Sequence, residues 1–526
     1  MITILQGESQ GDSIISINPA TGEKIGEVPV FSPGEARDAV RRAREAQVRW
    51  GAAPLEDRVR VISRFADILL DEADGVSRLI STENGKVLQE SFQMEVFPIV
   101  DLTKYFCRNA EHILEKKKIS LHLLKHRRSY IDYRPRGVVL VISPWNFPFT
   151  IPFGEVVMAL LAGNAVILKP ASNTPLIALK GKEIFDRAGL DRDLFQVVTG
   201  PGKLGSDMVE MGVDYVNFTG SVEVGTEVAA LCGRLLIPCT MELGGKDAAI
   251  VLPDAKLEHA ARSILWGSFA NAGQMCSAVE RVYIHEKVYD PLVEMLVLKA
   301  MKLRVGNPLD DGVDMGPMTD PRQLEKVERR VKAAVAAGAK VLLGGKRREG
   351  PGQFYLPTIL ADVHDGMEIM KEETFGPVLP VMKVGSVEEA VAKANGTSFG
   401  LSAYVFTSDP KEGRRVAESL EAGTVMINET LITHAAPETP WGGVKKSGIG
   451  RVHSDDGLRH LAVPYHINED AGLSQPPNPF WQPYSHKAYH ALVAAARALD
   501  HSNFTVRLSS VKKLFCELSE ICDAGL

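Results

Sequence analysis

The chain has 526 residues, which is enough for two or three domains with large cores. Hydrophobic residues make up 45% of it and charged residues 24%, values that exclude a disordered or fibrous protein. The net charge of -6 gives no basic excess that could neutralise a phosphate backbone, so we do not expect nucleic acid as a partner.

The first part of the chain predicts short strands followed by helices. Residues 14–30 predict strands around a turn at 18–22. Ser32 and Pro33 are typical of a helix start, with serine as the cap and proline in the first turn. A second helix is predicted over 59–69, where apolar residues recur every three or four positions. We expect the apolar faces of these helices to pack in a core.

Residues 117–135 predict a hairpin that projects from the main body. Its strands are expected at 120–124 and 129–133, with basic residues between them. Because exposed strands pair readily with another edge, we expect an oligomer contact here.

The middle of the chain alternates apolar runs with helical stretches. Each apolar run ends in polar, glycine-rich or proline-rich residues, and the alternation predicts a parallel, doubly wound sheet. Such sheets bind ligands at the carboxyl ends of their strands. The predicted strands cover 137–142, 164–168, 195–198 and 215–218, and the helices 152–162, 175–188 and 222–232.

The second half repeats this alternation. The predicted strands cover 246–252, 340–343, 378–384 and 423–428, the helices 257–269 and 320–338, and the loops 442–443 and 448–450. After a linker-like segment at 475–479, an alanine-rich helix is predicted over 487–499, too short to span a bilayer. We expect this helix to pack on the body or on a neighbouring subunit. A lid over a substrate mouth and a membrane-surface contact are the alternatives.

Cysteine usage and the start of the chain favour a reducing compartment. The six cysteines contain no C-x-x-C pair, which argues against a disulfide framework or a zinc site. The first residues show no basic segment followed by an apolar core, so no signal peptide is expected. We therefore expect a cytoplasmic protein without a metal site.

Three side chains could supply acyl-transfer chemistry, although each has an ordinary structural interpretation. Cys276 is either a small buried thiol or a nucleophile. Asn146, beyond a predicted strand, is a turn residue or a donor to an oxyanion. Glu242 either pairs with Lys246 or is a base whose pKa is raised by burial. Local sequence leaves these choices open.

A turn at 219–225 is a candidate cofactor site. No G-x-G-x-x-G follows a predicted strand, but Thr219, Gly220, Ser221 and Gly225 join a strand to a helix. Glycine permits close backbone approach, and Ser221 could donate to a pyrophosphate at the helix start.

Six motifs follow one another along the chain, namely PWNFP at 144–148, LKPAS at 168–172, FTGS at 218–221, MELGGK at 241–246, GQMC at 273–276 and EETFGPV at 372–378. Glu242 and Cys276 are 34 residues apart, and Asn146 and Lys169 are 23 apart. In their order and spacing these motifs resemble those of the aldehyde dehydrogenase superfamily, and the resemblance covers residues 14–462.

The resemblance implies an aldehyde-dehydrogenase-like α/β fold with two doubly wound domains, a small β oligomerisation element and a C-terminal helical extension. The implied assembly is a homodimer or homotetramer. The implied parts are a cofactor domain at 1–116 and 136–243, a catalytic domain at 244–450, the oligomerisation element at 117–135 and 451–467, and the extension at 468–526.

The resemblance also implies roles for individual residues. Cys276 would attack the aldehyde, Asn146 would hold the oxyanion with the backbone N–H of Cys276, and Glu242 would activate the water that releases the acid. By the same resemblance, Lys169 would be one of the catalytic residues and would contact the adenosine ribose. Trp145 and Ser221 would lie near the phosphates, Thr219 near the nicotinamide, and Glu373 and Phe375 at the nicotinamide ribose. The remaining implied cofactor residues are Ser143, Ser172, Gly220, Gly225, Leu243 and Gly244.

The implied substrate residues are mostly apolar, with no arginine to pair with a carboxylate. They favour a medium-chain, long-chain or aromatic aldehyde over succinate semialdehyde, which stays an alternative. They are Phe147, Ile151, Met275, Ser277 and Trp441.

One departure from the family pattern concerns the cofactor. Many NAD-preferring members carry a glutamate where this chain has Ser172, and that glutamate repels a 2′-phosphate. With a serine at this position, either NAD or NADP could be the cofactor. Two further alternatives are a CoA-acylating enzyme, which the presence of Glu242 disfavours, and a catalytically silent family member.

Overall fold

The computed structural model describes residues 9–10, 12–470, 472, 480–482 and 484–523. The predicted linker at 475–479 lies outside these residues. The strands are β1 (Ser9–Gln10), β2 (Ser13–Ile17), β3 (Lys24–Pro29), β4 (Lys117–Ile119), β5 (Arg127–Pro135), β6 (Val138–Ile142), β7 (Ala165–Lys169), β8 (Phe195–Val197), β9 (Tyr215–Thr219), β10 (Cys239–Glu242), β11 (Ala248–Val251), β12 (Arg281–His285), β13 (Lys340–Leu343), β14 (Thr358–Ala361), β15 (Val378–Val384), β16 (Ser402–Phe406), β17 (Thr424–Ile427), β18 (Gly448–Ile449) and β19 (Ala462–Asp470).

The α-helices alternate with these strands over much of the chain. They are α1 (Pro33–Ala52), α2 (Leu55–Asp71), α3 (Ala73–Asn84), α4 (Leu88–Ser91), α5 (Phe97–Leu114), α6 (Thr150–Leu161), α7 (Pro175–Arg187), α8 (Gly202–Val209), α9 (Val222–Leu235), α10 (Leu257–Phe269), α11 (Glu286–Ala300), α12 (Pro321–Ala336), α13 (Val387–Asn395), α14 (Pro410–Glu418), α15 (Ser454–His460), α16 (His486–Asp500) and α17 (Phe504–Asp523). None of the helices in the described part of the chain is long and apolar enough to cross a lipid bilayer.

The described residues divide into a larger and a smaller compact unit. The larger unit takes those up to Glu115 together with Tyr133–Val463, and the smaller takes Lys116–Asp132 and those from Pro464 onward. Within the predicted element at 451–467, residues 454–460 form α15, which packs on α5 and α6 in the larger unit.

In the larger unit, one sheet has the strand order β18-β10-β9-β6-β7-β8. The strands from β10 to β8 run parallel, and β6 and β7 are apolar and almost completely buried. Their sequences are apolar at nearly every position because helices cover both faces of a doubly wound sheet. This is the alternation that the sequence predicted for the middle of the chain.

The edge strand β18 corrects the predicted loop at 448–450. Gly448 and Ile449 pair antiparallel with Glu242 and Met241 of β10. A two-residue strand that begins with glycine has no periodicity from which it could be recognised. Its position matters because it fixes the backbone that carries Glu242.

A second sheet in the larger unit has the order β13-β14-β15-β12-β11-β16-β17. All neighbours are parallel except β13, which is antiparallel to β14. Each of these two sheets lies in its own hydrophobic core. Two doubly wound halves are therefore present.

The smaller unit contains the sheet β19-β5-β4. The predicted hairpin is present, but its first strand is β4 and not 120–124. Leu123 and Leu124 are exposed, and Leu124 O accepts from Arg127 N at 2.9 Å in the connection between the strands. The sequence also predicted one C-terminal helix, whereas α16 and α17 pack against each other.

Candidate active site

A cavity of about 160 Å³ opens in the larger unit where the strands of the first sheet end. Residues directly after β6, β9 and β10 contribute to its wall, because the carboxyl ends of parallel strands lie at one edge of a sheet. The lining residues are Pro144, Trp145, Asn146, Ile151, Thr219, Gly220, Ser221, Leu243, Gly244, Cys276, Gln323, Lys326, Glu373 and Phe375.

Most of the predicted site residues therefore come together in one cavity. Pro144, Gln323 and Lys326 belong to the wall and were not predicted. Some predicted residues lie outside this lining, namely Ser143, Phe147, Lys169, Ser172, Gly225, Glu242, Met275, Ser277 and Trp441.

The chain before Cys276 is held in an unusual backbone conformation. Asn271 and Ala272 have φ values of 50° and 53°, where non-glycine residues are uncommon. Glu90 fixes this turn by accepting from Asn271 N at 3.0 Å. A Cβ at Gly273 would lie 2.3 Å from Gly376 O. Glycine is therefore required here for packing against residue 376.

Asn146 is anchored to that same turn. Its Nδ2 donates to Gln274 O at 3.0 Å, and its backbone carbonyl accepts from Asn271 Nδ2 at 3.0 Å and Lys86 Nζ at 3.1 Å. A primary amide carries two N–H donors, so the second one is left for the cavity. Asn146 can therefore donate to an oxygen atom near Cys276.

A buried ion pair supports the loop that carries Asn146. Lys86 pairs with Glu95, and both side chains are fully buried. Glu95 also accepts from Phe149 N at 3.1 Å and Thr150 N at 2.8 Å, where α6 begins. Losing either partner would leave a buried charge, so we infer that this pair positions the amide.

The thiol of Cys276 is protonated at neutral pH. Burial, followed by the charges of Asp247, Glu373 and Glu242, raises its pKa well above the ordinary value. The side chain is nevertheless partly exposed, so its proton can pass to solvent. Attack on a carbonyl carbon therefore requires loss of the thiol proton at or before that step.

Glu242 is a buried carboxyl group. Neither of its oxygen atoms has a hydrogen-bond partner among the described residues. Burial, and then the charge of Glu155, raises its pKa well above 4.5. The pairing with Lys246 that the sequence left open does not occur, since Lys246 Nζ lies 2.5 Å from Glu280 Oε2. A buried carboxyl group with a raised pKa is suited to acid–base work near neutral pH.

Glu155 is a second buried carboxyl group near Glu242. It lies on the otherwise apolar helix α6, and burial raises its pKa to about 8. Like charges in one buried site resist simultaneous ionisation. Arg451 opposes this repulsion by favouring the charged form of Glu242.

We expect Glu155→Gln to move the acid limb of the pH–kcat profile to lower pH. The neutral amide removes a like charge, so the pKa of Glu242 falls and the base is ionised at lower pH. Glu155→Asp retains a carboxylate and is the control. If the profiles of both variants coincide with that of the parent, Glu155 does not influence the pKa of the base.

Glu373 and Phe375 form another side of the cavity. Glu373 Oε1 accepts from Gly245 N at 3.0 Å, and burial raises the pKa of Glu373 to about 7. A Cβ at Gly244 would lie 2.8 Å from the Glu373 carboxylate, so glycine is needed for this approach. The Phe375 ring meets Trp145 edge-on, with centroids 5.5 Å apart.

Lys169 ends β7, Ser172 follows it, and Ser221 precedes α9; of these three, Ser221 lines the cavity. Burial lowers the pKa of Lys169 to about 8. Ser172 Oγ donates to Gly200 O at 3.1 Å, so its proton already has an acceptor. Ser221 caps α9 by accepting from Val224 N at 3.4 Å, which leaves its own proton for another acceptor.

Two further predicted cofactor residues have structural contacts. Ser143 N donates to Lys169 O at 3.2 Å and links β6 to β7. At Gly225, a Cβ would lie 2.3 Å from Leu243 Cδ2, so this glycine allows α9 to approach Leu243.

The predicted substrate residues other than Ile151 lie among apolar and aromatic side chains. Met275 belongs to a cluster with Ala270, Ala278, Leu431, Met94, Phe147 and Trp266. Trp441 packs with Leu401 and Val452, and Cys276 contacts this second cluster. Ser277 is buried, and its carbonyl accepts from Tyr404 OH at 2.5 Å.

His434 connects these aromatic residues and was missed by the sequence analysis. Its ring centroid lies 5.0 Å from that of Trp441, 5.2 Å from His453 and 6.3 Å from Phe147. Burial lowers the pKa of His434 to about 4 and that of His453 to about 3. Both rings are neutral at pH 7, so neither ring attracts an anionic substrate group.

The chain matches known proteins over most of its length. A sequence model described as the aldehyde dehydrogenase family matches residues 6–466. A relative from Mycobacterium ulcerans, provisionally named as an NADP+ succinate-semialdehyde dehydrogenase, is 37% identical over 470 residues, 88% of this chain and 90% of that one. The 4,4′-diapolycopene aldehyde oxidase of Methylomonas is 36% identical over 483 residues, 91% of this chain and 89% of that one.

Solved structures agree with this assignment. A Mycobacterium tuberculosis aldehyde dehydrogenase complexed with NAD+ has a TM-score of 0.84 at 32% identity, covering 89% of this chain and 96% of that one. A 3,6-anhydro-L-galactose dehydrogenase in complex with NAP has a TM-score of 0.83 at 32% identity, covering 88% and 98%. From its sequence, its fold and these matches, the chain belongs to the aldehyde dehydrogenase family.

Proposed function

We propose that the protein oxidises an apolar aldehyde to the free carboxylic acid, with NAD or NADP as the hydride acceptor. The observation that carries this proposal is that a thiol and an amide donor line one cavity, close to a buried carboxyl group without a hydrogen-bond partner whose charge raises the pKa of that thiol. These groups are Cys276, Asn146 and Glu242.

Cys276 forms the covalent bond to the substrate. As its proton passes to water in the cavity, Sγ attacks the carbonyl carbon and gives a thiohemiacetal. The negative oxygen receives hydrogen bonds from Asn146 Nδ2 and the backbone N–H of Cys276. Such donors stabilise the charge most where they are held in place beforehand, as Asn146 is by its contacts to Gln274 and Asn271.

Groups of the cavity wall can hold the nicotinamide end of a dinucleotide. Glu373 can accept from ribose hydroxyls, the Ser221 proton is available to a phosphate at the start of α9, and Lys169 and Ser172 are candidates for the adenosine end. A bound cofactor would supply the hydride acceptor for the thiohemiacetal carbon, whose oxidation would leave an acyl thioester on Cys276.

Glu242 completes turnover by activating water. As a carboxylate it takes one proton from a water molecule, whose oxygen attacks the thioester carbon and expels the Cys276 sulfur. The acid is released, and Glu242 must lose the proton before the next cycle. This step needs no CoA, so acid formation in its absence supports hydrolysis, and strict dependence on CoA would contradict it.

The side chains near the thiol favour an apolar substrate. Phe147, Met275, Leu431, Trp441 and the neutral His434 are aromatic or aliphatic. The test is kcat/KM over a series of linear aldehydes, benzaldehyde and succinate semialdehyde. We expect values to rise with chain length, since each buried methylene contributes about 0.8 kcal/mol.

Succinate semialdehyde is the second candidate, because several relatives at 37–38% identity carry that provisional name. The same series decides between them. Higher kcat/KM for succinate semialdehyde than for every apolar aldehyde would overturn the proposed substrate class.

We expect Ser172→Glu to shift the cofactor preference towards NAD. A carboxylate there repels a 2′-phosphate but can accept from the 2′-hydroxyl, so kcat/KM for NADP should fall by about 10-fold or more relative to NAD. Ser172→Gln has similar size without charge and serves as the control. An unchanged NADP/NAD ratio in Ser172→Glu would place the 2′-phosphate elsewhere.

We also propose that the protein is a homodimer or homotetramer joined through the sheet of the smaller unit. The strand β19 is largely exposed and lies at one edge of that sheet, where another strand can pair. Light scattering at micromolar concentration tests this, and a monomeric mass would contradict it.

A further inference from the structure

We propose that the C-terminal helical pair, α16 and α17, binds the surface of an anionic lipid bilayer. The inference rests on the placement of apolar, aromatic and basic side chains in the smaller unit. It does not depend on the proposed substrate.

The helix α17 presents an exposed apolar stripe. A helix turns by about 100° per residue, so positions 504, 508, 511 and 515 share one face. The residues there are Phe504, Leu508, Val511 and Phe515, with exposed fractions of 74%, 63%, 38% and 69%. Exposed phenylalanines of this kind usually mark an interaction surface when they are contiguous.

The other face of α17 is occupied within the smaller unit. α16 and α17 pack against each other, and Ala491, Ala494 and Ser510 are buried small side chains. Both helix starts are capped, with Ser485 Oγ accepting from Ala488 N at 3.1 Å and Asn503 Oδ1 accepting from Thr505 N at 2.9 Å. The pair is therefore a formed helical hairpin whose stripe points away from its own contact.

Basic side chains flank the stripe on both sides. The helical rotation puts Arg507 on one side of it and Lys512 on the other. Arg507 Nε donates to Ala498 O at 3.2 Å, which holds its guanidinium at this edge of the helical pair and leaves its Nη groups for another acceptor. Long basic side chains beside an apolar face can lay their stems along it and hold their charges at lipid phosphates.

Amphipathic aromatic residues lie near α16. Trp481, Tyr484 and Tyr489 are 51%, 75% and 62% exposed. Tryptophan and tyrosine are enriched where membranes meet water, because each ring has an apolar body and a polar group. They add contact area to a lipid surface and need no complementary protein.

A second copy of this chain fits the stripe less well. If two copies packed stripe to stripe about a two-fold axis, the same basic residues of both would meet along one seam. Like charges at such a contact repel each other. An anionic bilayer instead complements both the apolar stripe and the flanking charges.

The test is co-sedimentation of the full chain with vesicles of phosphatidylcholine, alone or mixed with phosphatidylserine. We expect the parent to bind the mixed vesicles, and more weakly at high salt. The triple variant Phe504→Gln, Leu508→Gln, Phe515→Gln should lower the partition coefficient by about 10-fold or more. Arg507→Gln with Lys512→Gln should remove the preference for phosphatidylserine.

A matched control replaces apolar residues of similar exposure elsewhere, with Val48→Gln, Leu298→Gln and Met301→Gln. We expect it to bind vesicles as the parent does, and all variants to oxidise a water-soluble aldehyde normally. Parent-like vesicle binding by the α17 triple variant would overturn the proposal. The proposal would also be overturned if the parent bound no vesicles, or if the triple variant bound vesicles normally but had a smaller oligomeric mass.

Discussion

Replacing Cys276 with serine is expected to abolish aldehyde oxidation, with kcat lowered on the order of 10⁴-fold or more. An alcohol is a far poorer nucleophile than a thiol, and burial lowers the pKa of His434 to about 4 and that of His453 to about 3, so both rings are weak bases for activating it. The rate of reduced-cofactor formation at saturating aldehyde measures this. Cofactor binding, followed by calorimetry, should change little.

Cys107→Ser is the matched control for this variant. Cys107 is half-buried like Cys276, but its Sγ contacts Val59 O at 3.8 Å, far along the chain from the cavity residues. We expect parent-like activity from it. Substantial oxidation by Cys276→Ser would mean that the thiol does not carry the substrate.

Glu242→Gln is expected to separate the two halves of the reaction. The amide cannot take a proton from water, so steady-state turnover should fall by about 10²–10⁴-fold. Hydride transfer precedes that step, so a rapid burst of one equivalent of reduced cofactor per active site should remain. Stopped-flow absorbance measures the burst and the following slow phase in one experiment.

The thermal stability of this variant tests whether misfolding causes the loss of turnover. The pKa of Glu242 is raised in the folded protein, so folding favours the protonated form and the group opposes folding as pH rises above 4.5. A neutral amide removes this opposition. We therefore expect the Tm of Glu242→Gln at pH 8 to equal or exceed that of the parent. Loss of the burst together with turnover would contradict the assignment of Glu242 to the hydrolytic step.

The sequence predicted the cavity wall well because its motifs end successive strands. Asn146, Thr219 and Leu243 follow β6, β9 and β10, and the ends of parallel strands meet at one edge. Chain order and strand type were therefore enough to bring these distant residues together. The turn that carries Cys276 lies between α10 and β12, so this rule does not account for its position.

The supporting residues could not be predicted in this way. Lys86, Glu90 and Glu95 act through contacts with residues more than fifty positions away, and no local pattern specifies those contacts. Glu155 did leave a signal, since it is a single carboxyl group in an otherwise apolar helix. A buried charge of that kind needs an explanation, and its effect on Glu242 supplies one.

The sequence also did not predict the aromatic cluster around His434 or the helix α17. His434 follows Leu431, whose φ is 65°, and meets Trp441 and Phe147 only through tertiary packing. In the extension, α17 alternates apolar and polar residues without the alanine-rich composition that made α16 recognisable. Its exposed stripe is visible only when the buried face is known.

The most direct test of the mechanism is peptide mass spectrometry of Glu242→Gln, quenched in acid after one turnover with aldehyde and cofactor. We expect the peptide that contains Cys276 to carry the added mass of the acyl group. The corresponding peptide of Cys276→Ser, treated identically, should not carry this added mass. An unmodified Cys276 peptide after a full burst of reduced cofactor, or an acyl group on another residue, would contradict this mechanism.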